Sequence, residues 1–483
     1  MSRIVVGPFN RVEGDLELKL DAEDDRVVAA RVTTPLYRGF EQILIGRPIA
    51  DALVIAPRIC GICSVSQSLA AASASAAFSG TTPAPNGALT TALAHAAENL
   101  ADHLSHFYLF FMPDFARADY AGRPWAGEIG ARFTAMKGTA AAEFLPVRTR
   151  LLEIMGLVAG KWPHSLAFRA GGTTRALDLG GKARARAILA DVRAALERTL
   201  FAAPLEAIAE IASAEDLDRI AARGDGDFAE FLRLADDLDL HRLGPGPGMV
   251  MSYGAYPGTA GSGPLFAAGL FDTTTGTRAP LVPGHIVEDP AHSWLAGEAG
   301  PPARAETQPD IDRADAYSWA RAPRYDGHAV EVGAVARQLV DGHPAIRALV
   351  ARDGATSVAS RVVARLVEIA RVLPAMETWI GRITPGDPFC TVATEPSDGS
   401  GVGLIEAARG GLGHWMTVRG GRITRYQIVA PTTWNFSPRD GGGNPGPLER
   451  ALEGTTLAGR GARAAAIQHV VRSFDPCMVC TAH

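Results

Sequence analysis

Five cysteines are unevenly placed in 483 residues: Arg58-Ile59-Cys60-Gly61-Ile62-Cys63, then Asp475-Pro476-Cys477-Met478-Val479-Cys480-Thr481-Ala482-His483, with Cys390 alone. A Cys-x-x-Cys spacing puts two thiolates on one turn of chain, where they can grip one metal ion. One pair is a weak signal, and two pairs can complete a tetrahedral site. Zinc ribbons separate their pairs by about 15 to 20 residues, whereas the 413 residues from 64 to 476 intervene here. A structural zinc joining the chain ends is therefore a minor reading. A thioredoxin-like redox pair needs a strand-to-helix setting and leaves the second copy unexplained. An odd count of five cannot build a disulfide framework in so long a chain and points to a reducing compartment. Cys390, in the turn Gly386-Asp387-Pro388-Phe389-Cys390, is expected to be an ordinary buried thiol.

Further blocks accompany the cysteines in order. They are Arg11-Val12-Glu13-Gly14, Tyr37-Arg38-Gly39-Phe40-Glu41 with Gly46-Arg47, and His106-Phe107-Tyr108 followed by Asp114. Then come Ala408-Arg409-Gly410 with Gly413-His414-Trp415, and Tyr426-Gln427 with Val429 and Pro431-Thr432-Thr433-Trp434-Asn435. With the two pairs, this series resembles the large subunit of nickel-iron hydrogenases over essentially the whole chain. The resemblance implies that Cys60, Cys63, Cys477 and Cys480 bind nickel, and that Cys63 and Cys480 also bridge to an iron carrying carbon monoxide and cyanide. Soft thiolates suit a redox-active late metal, and an open position between the metals gives dihydrogen a place to be polarised and split.

The same resemblance assigns the surrounding groups. Four thiolates call for compensating cations, with Arg58 and Arg409 the candidates. Arg409 would hang over the open metal position, held by Asp475 and Asp114, against a plain reading as a surface guanidinium paired with Glu406 or Asp475. Glu13 would carry the released proton away, burial bringing its pKa toward neutrality; otherwise it is a loop acid satisfied by Arg11. Thr432 would hydrogen-bond an iron-bound cyanide, with Ala408 and Arg409 beside it. Glu41, the Ile428 carbonyl and His483 would hold a buried magnesium ion, oxygen ligands suiting a hard cation. The chain stops where the family's C-terminal processing cuts. His103, His106 and His164 are expected to be structural.

Five positions depart from the family's usual pattern. Most energy-converting members have a histidine four residues after the second cysteine, where this chain has Gln67. Ile62 and Phe110 stand where the gas channel narrows and are bulkier than the usual valine and leucine. These features resemble the regulatory, dihydrogen-sensing subgroup, which would turn over slowly and signal to a histidine kinase. Ala408 replaces the usual proline, and Asp15 the usual histidine. All four paired cysteines being used, electrons would leave through an iron-sulfur small subunit, in a heterodimer or a dimer of heterodimers. The alternatives are an uptake hydrogenase feeding a respiratory acceptor and a metal-free structural relative.

The elements that must position these residues are mostly helices. Leu89, Leu93, Leu100, Leu104, Phe107 and Phe111 recur at helical spacing from a possible Asn86 N-cap to Pro113. Similar patterns span 183–201, 329–340 and 357–383, broken by Pro204, Pro344 and Pro374. Alternation in residues 2–38 predicts a small antiparallel sheet, and 244–323 and 403–447 read as loops and short strands, including 415–418 and 423–429. The fold class expected is α+β, predominantly helical: a bundle of long helices with small peripheral antiparallel sheets, forming a single domain over 1–483. Hydrophobic residues at 47% and charged residues at 20% suit a well-buried chain, and a net charge of -5 offers no basic excess for nucleic acid or anionic membrane. The N-terminus has no secretion signal, although a partner could carry one for both chains. The most apolar runs, 69–78 and 104–112, fall short of the roughly 18 residues that cross a bilayer. The expected location is the cytoplasm.

Overall fold

The computed structural model describes residues 2–259, 263–394, 396–457 and 465–483. Long helices make its centre. Pro85–Ser105 packs against Thr139–Ala159 and Val358–Arg382, and Leu179–Thr199 covers both of those partners. Pro85 occupies the first turn, where its missing N–H costs nothing, and Ala84 is the N-cap. The expected Asn86 cap is thus corrected: its side chain bonds the carbonyl and the N–H of Thr384 at 2.7 and 3.0 Å, tying this helix to the end of Val358–Arg382. Val358–Arg382 starts at a Ser357/Ser360 capping box and continues through Pro374.

The first long helix does not stay regular to Pro113. After Ser105 it widens into a π turn, His106–Phe111, and then tightens into the 3-10 turn Met112–Ala116. Each change of hydrogen-bond span rotates the residues beyond it away from the 3.6-residue phase. The helix expected over 329–340 begins only at Ala334. Glu331 is instead extended, its N–H and carbonyl bonding Met249 O and Met251 N at 2.9 and 3.0 Å.

Strands form five small antiparallel sheets among the described residues. Ser2–Val6, Glu17–Glu23 and Arg26–Thr33 form the N-terminal one, with Leu18 and Leu20 turned into the core. Met249–Pro257, Pro264–Asp272 and Thr277–Ala279 form another in the loop-rich middle. A third, Gly399–Ala407, Gly410–Arg419 and Arg422–Val429, carries the Arg409 turn.

The helix Ser64–Ser79 lies on this third sheet. It is almost all Ala and Ser, and Gly401 and Gly403 face it so closely that a Cβ on either would stand 2.0 and 2.1 Å from Ala74 O and Ala70 O. A thin helix and side-chain-free strand positions thus bring Cys63, at the helix start, beside the strand turn bearing Arg409. Among the described residues, no helix is long and apolar enough to cross a membrane.

Candidate metal centre

The 3-10 turn Ala56–Ile59 delivers Cys60 in extended backbone, and the N–H groups of Ile62 and Cys63 point at Cys60 Sγ at 3.3 and 3.4 Å. Cys63 is the N-cap of Ser64–Ser79, but its sulfur faces the cluster and caps nothing. Glu98, from Pro85–Ser105, supplies the cap instead, accepting from Val65 N and Ser66 N at 2.8 and 2.9 Å and from Trp162 Nε1 at 3.0 Å. Burial pushes the Glu98 carboxyl up to about 7.

The second pair arrives on the turn Met478–Cys480, and the segment between the first two strands holds it. Glu13 pairs with Cys477 in parallel fashion, its carbonyl accepting from Met478 N at 2.7 Å. Thr432 Oγ1 accepts from Cys477 N at 3.2 Å, which leaves its O–H to donate, and Thr433 donates to Thr481 O at 2.7 Å. Arg38 Nη2 joins the two cysteine segments directly, donating to Ile59 O at 2.5 Å and Val479 O at 2.6 Å.

The four sulfurs converge within 4.8 Å of one another: Cys60–Cys477 at 3.6 Å, Cys63–Cys480 at 3.3 Å and Cys477–Cys480 at 2.9 Å. None of these is a disulfide, whose sulfurs lie about 2.05 Å apart. Hydrogen bonds from Cys477, Cys480 and Cys63 push the Cys60 thiol well below the ordinary range, while the same sulfur neighbours push Cys63 well above it and burial raises Cys480. Crowded thiols that cannot all ionise alone are the donor set that a soft metal cation completes.

Arg409 stands against this cluster, 4% exposed. Its Nε donates to Asp475 O at 2.8 Å, Nη2 to Asp475 Oδ1 at 3.1 Å and Asp102 Oδ1 at 3.0 Å, and Nη1 lies 2.8 Å from Asp102 Oδ2. Burial opposes its charge, but Asp102, Asp475, Cys477 and Cys63 outweigh it and hold the guanidinium well above its usual pKa. The expected Asp114 support is therefore corrected to Asp102. Asp114 lies beyond the π turn, out of phase with Asp102, and is enclosed by Arg11, Arg117, Arg472 and His469. Arg58 is exposed. Glu406 pairs with Arg337, not with Arg409.

Arg11 turns to Asp114 and not to Glu13. Glu13 is half-buried, and burial, then Cys60, raise its pKa against the pull of Arg409. Gln67 is buried one turn after Cys63 and its Oε1 meets His414 Nε2 at 2.9 Å, while His414 Nδ1 meets Tyr426 Oη at 2.8 Å. Burial drives His414 down to about 3, so it is neutral, donating to Gln67 and accepting from Tyr426. Ile62 packs with the cysteines in one apolar cluster, and Phe110 lies outside it, half-buried on the π turn. Glu41 Oε1 lies 3.4 Å from His483 Nδ1, both residues buried, with Glu41 Oε2 and His483 Nε2 lacking hydrogen-bond partners. Ile428 is buried on the neighbouring strand. Cys390 is exposed, correcting the buried thiol expected there.

The model of the family described as nickel-dependent hydrogenase matches residues 38–151 and 136–483. The chain belongs to that family. This hydrogenase is 28% identical over 515 residues to the periplasmic NiFeSe hydrogenase large subunit of Desulfomicrobium baculatum, an alignment covering 100% of this chain and 95% of the relative. It is 27% identical over 575 residues to the uptake hydrogenase large subunit of Azotobacter chroococcum mcd 1, with the same coverages. The solved H2-activated NiFeSe hydrogenase of Dm. baculatum superposes with a TM-score of 0.86 at 28% identity, covering 100% of both chains. The NiFeSe hydrogenase of D. vulgaris Hildenborough in the reduced state gives 0.85 at 30%, again over 100% of both.

The helical α+β fold is thus that of a nickel-iron hydrogenase large subunit, and the cysteine cluster is its Ni-Fe site. These four sulfurs would hold the metal centre, which when bound would supply Lewis acidity toward dihydrogen. Sequence reasoning missed Asp102 and Glu98. The signal for both was a carboxylate on a helix whose leucines mark it as buried.

Proposed function

We propose that this chain is the large, catalytic subunit of a dihydrogen-sensing nickel-iron hydrogenase, one that cleaves dihydrogen heterolytically at a slow rate and passes a signal to a histidine kinase. The observation that carries this reading is Gln67: in the position where energy-converting members have a histidine, it is locked to His414 and Tyr426 in a buried chain of hydrogen bonds beside Cys63. Ile62, packed against the cysteines, supports it by narrowing gas access, with Phe110 as the second constriction.

In this proposal Cys60, Cys63, Cys477 and Cys480 would hold nickel, and Cys63 and Cys480 would also hold an iron that carries carbon monoxide and cyanide. The Thr432 O–H would donate to a cyanide, next to Ala408 and Arg409. Arg409, held by Asp102 and Asp475, keeps its positive charge over the sulfurs and orients the splitting of dihydrogen, and Glu13 takes a proton from a cysteine toward solvent. The unused lone pairs of Glu41 and His483, with the Ile428 carbonyl, fit magnesium. The whole chain works as one folded unit in the cytoplasm, and electrons leave through an iron-sulfur small subunit, in a heterodimer or a pair of them.

An uptake role is favoured by one specific observation: several relatives are named uptake hydrogenase or, in Escherichia coli, hydrogenase-2. The experiment is to purify the heterodimer, measure nickel, record the infrared cyanide and carbonyl bands, and delete the gene. Slow dye reduction under dihydrogen together with altered dihydrogen-dependent gene expression supports sensing. Fast, sustained dye reduction with unchanged expression overturns it in favour of uptake, and absence of nickel and of both bands makes the chain a structural relative.

A further inference from the structure

Outside the sulfur cluster lies a second set of buried charges. Arg337, on the helix Ala334–Asp341, and Glu368, on Val358–Arg382, are both 0% exposed. A guanidinium has five N–H groups, and here each has an acceptor. Nε and Nη2 donate to the two Glu368 oxygens at 2.9 and 2.8 Å, and Nη1 to Glu406 Oε2 at 2.7 Å. The remaining two donate to Ala407 O at 2.9 Å and Ala408 O at 3.0 Å, the carbonyls of the two residues preceding Arg409.

The other end of the same pair reaches the partner of Arg409. Glu368 Oε1 lies 3.1 Å from His103 Nε2, and His103 directly follows Asp102. A carboxylate only accepts, and burial disfavours the charged imidazole, so His103 is the donor. The backbones touch as well. Gly333, with φ 131°, precedes the Arg337 helix, and a Cβ on Gly410 would stand 2.7 Å from Gly333 N. The start of that helix is therefore pressed onto the Arg409-Gly410 turn.

We propose that Arg337 and Glu368 are positioning residues for dihydrogen activation: together they grip the chain just before Arg409 and just after Asp102, and so set where the Arg409 guanidinium stands relative to the cysteine sulfurs. Core stability alone does not call for such a pair, because apolar residues of similar volume serve as well or better. Lysine cannot replace Arg337 in this role, since three rotating donors do not reproduce a planar five-donor fork. The inference rests on the proposed action of Arg409, not on the sensing reading.

The test is a double-mutant cycle in the metal-loaded enzyme with its small subunit. Arg409→Lys alone tests the role of Arg409; if it leaves dihydrogen-oxidation kcat unchanged, that role fails and the positioning proposal fails with it. Given a loss there, Arg337→Lys is expected to lower kcat about 10-fold or more with unchanged KM for dihydrogen in the native background, and less than about twofold in the Arg409→Lys background. Amide hydrogen exchange should quicken in a peptide covering 406–412 and stay unchanged in one covering 139–159. An equal loss in both backgrounds, or unaltered kcat and exchange, overturns the proposal. Should Arg337→Lys fail to retain nickel, Glu368→Gln, which keeps the side-chain volume, takes its place in the same cycle, and the same results support or overturn the proposal.

Discussion

Replacing Asp102 by asparagine separates the charge of Arg409's partner from its shape. Asparagine keeps one acceptor oxygen for Nη2, now at 3.0 Å, but presents an NH2 group to Nη1, where Asp102 Oδ2 lies at 2.8 Å. One charge-assisted contact is lost, and such contacts contribute about 1.5–3 kcal/mol. Asp475 still holds Nε and Nη2, so the guanidinium stays beside the sulfurs but loses its fixed orientation. If that orientation serves the reaction, kcat for dihydrogen oxidation falls about 10- to 150-fold at 1.36 kcal/mol per decade. The assay is dye reduction under saturating dihydrogen, normalised to bound nickel. Asp114→Asn is the contrast. It leaves Arg472, fully buried, and parts of Arg11 and Arg117 without their carboxylate, and stability should drop by about 3–5 kcal/mol while kcat per nickel is unchanged. Its neighbours hold Asp114 below its ordinary pKa of 3.8 despite burial. The stability it contributes is therefore present above about pH 4 and lost as pH falls, so the gap between Asp114→Asn and the native chain should shrink in acid. Unchanged kcat in Asp102→Asn, with kcat per nickel abolished in Asp114→Asn, would refute the reasoning.

Glu13→Gln should abolish dihydrogen/deuterium exchange with nickel content intact, and persisting exchange means that the proton leaves elsewhere. Ile62→Val with Phe110→Leu should make the purified enzyme lose activity faster in air; equal half-lives remove the gas-channel argument. Arg38→Met should lose both bonds joining the cysteine segments, about 1–3 kcal/mol, seen as faster nickel release to a chelator. An unchanged release rate shows that the segments are held without it.

The convergence of the two cysteine pairs is legible through the ordered series of blocks that resembles the family, since the Cys-x-x-Cys spacing by itself is a weak signal. The helix from Pro85 is legible because its leucines keep phase for about four turns. The surroundings of Asp114 are hidden for the opposite reason: counting residues assumes a constant turn, and the π turn at His106–Phe111 ends that constancy. The strand Gly399–Ala407 is hidden too, because glycine is a poor strand former, and Gly401 and Gly403 gain their meaning only from the Ala and Ser helix lying against them. Arg337 and Glu368 carry no local signal. They are 31 residues apart on two helices and acquire a role only through the carbonyls they meet.

The two cysteine pairs have 413 residues between them in sequence, yet their sulfurs lie within 4.8 Å. A metal bound to both is thus a clasp on a ring comprising nearly the whole molecule. By the chain-entropy relation used for disulfides, closing a ring of that size removes about 6 kcal/mol of freedom from the unfolded ensemble. That stabilisation would act on every element between the clasped ends, including helices that never approach the metal, and chelation would be felt as a loss of stability far from the sulfurs.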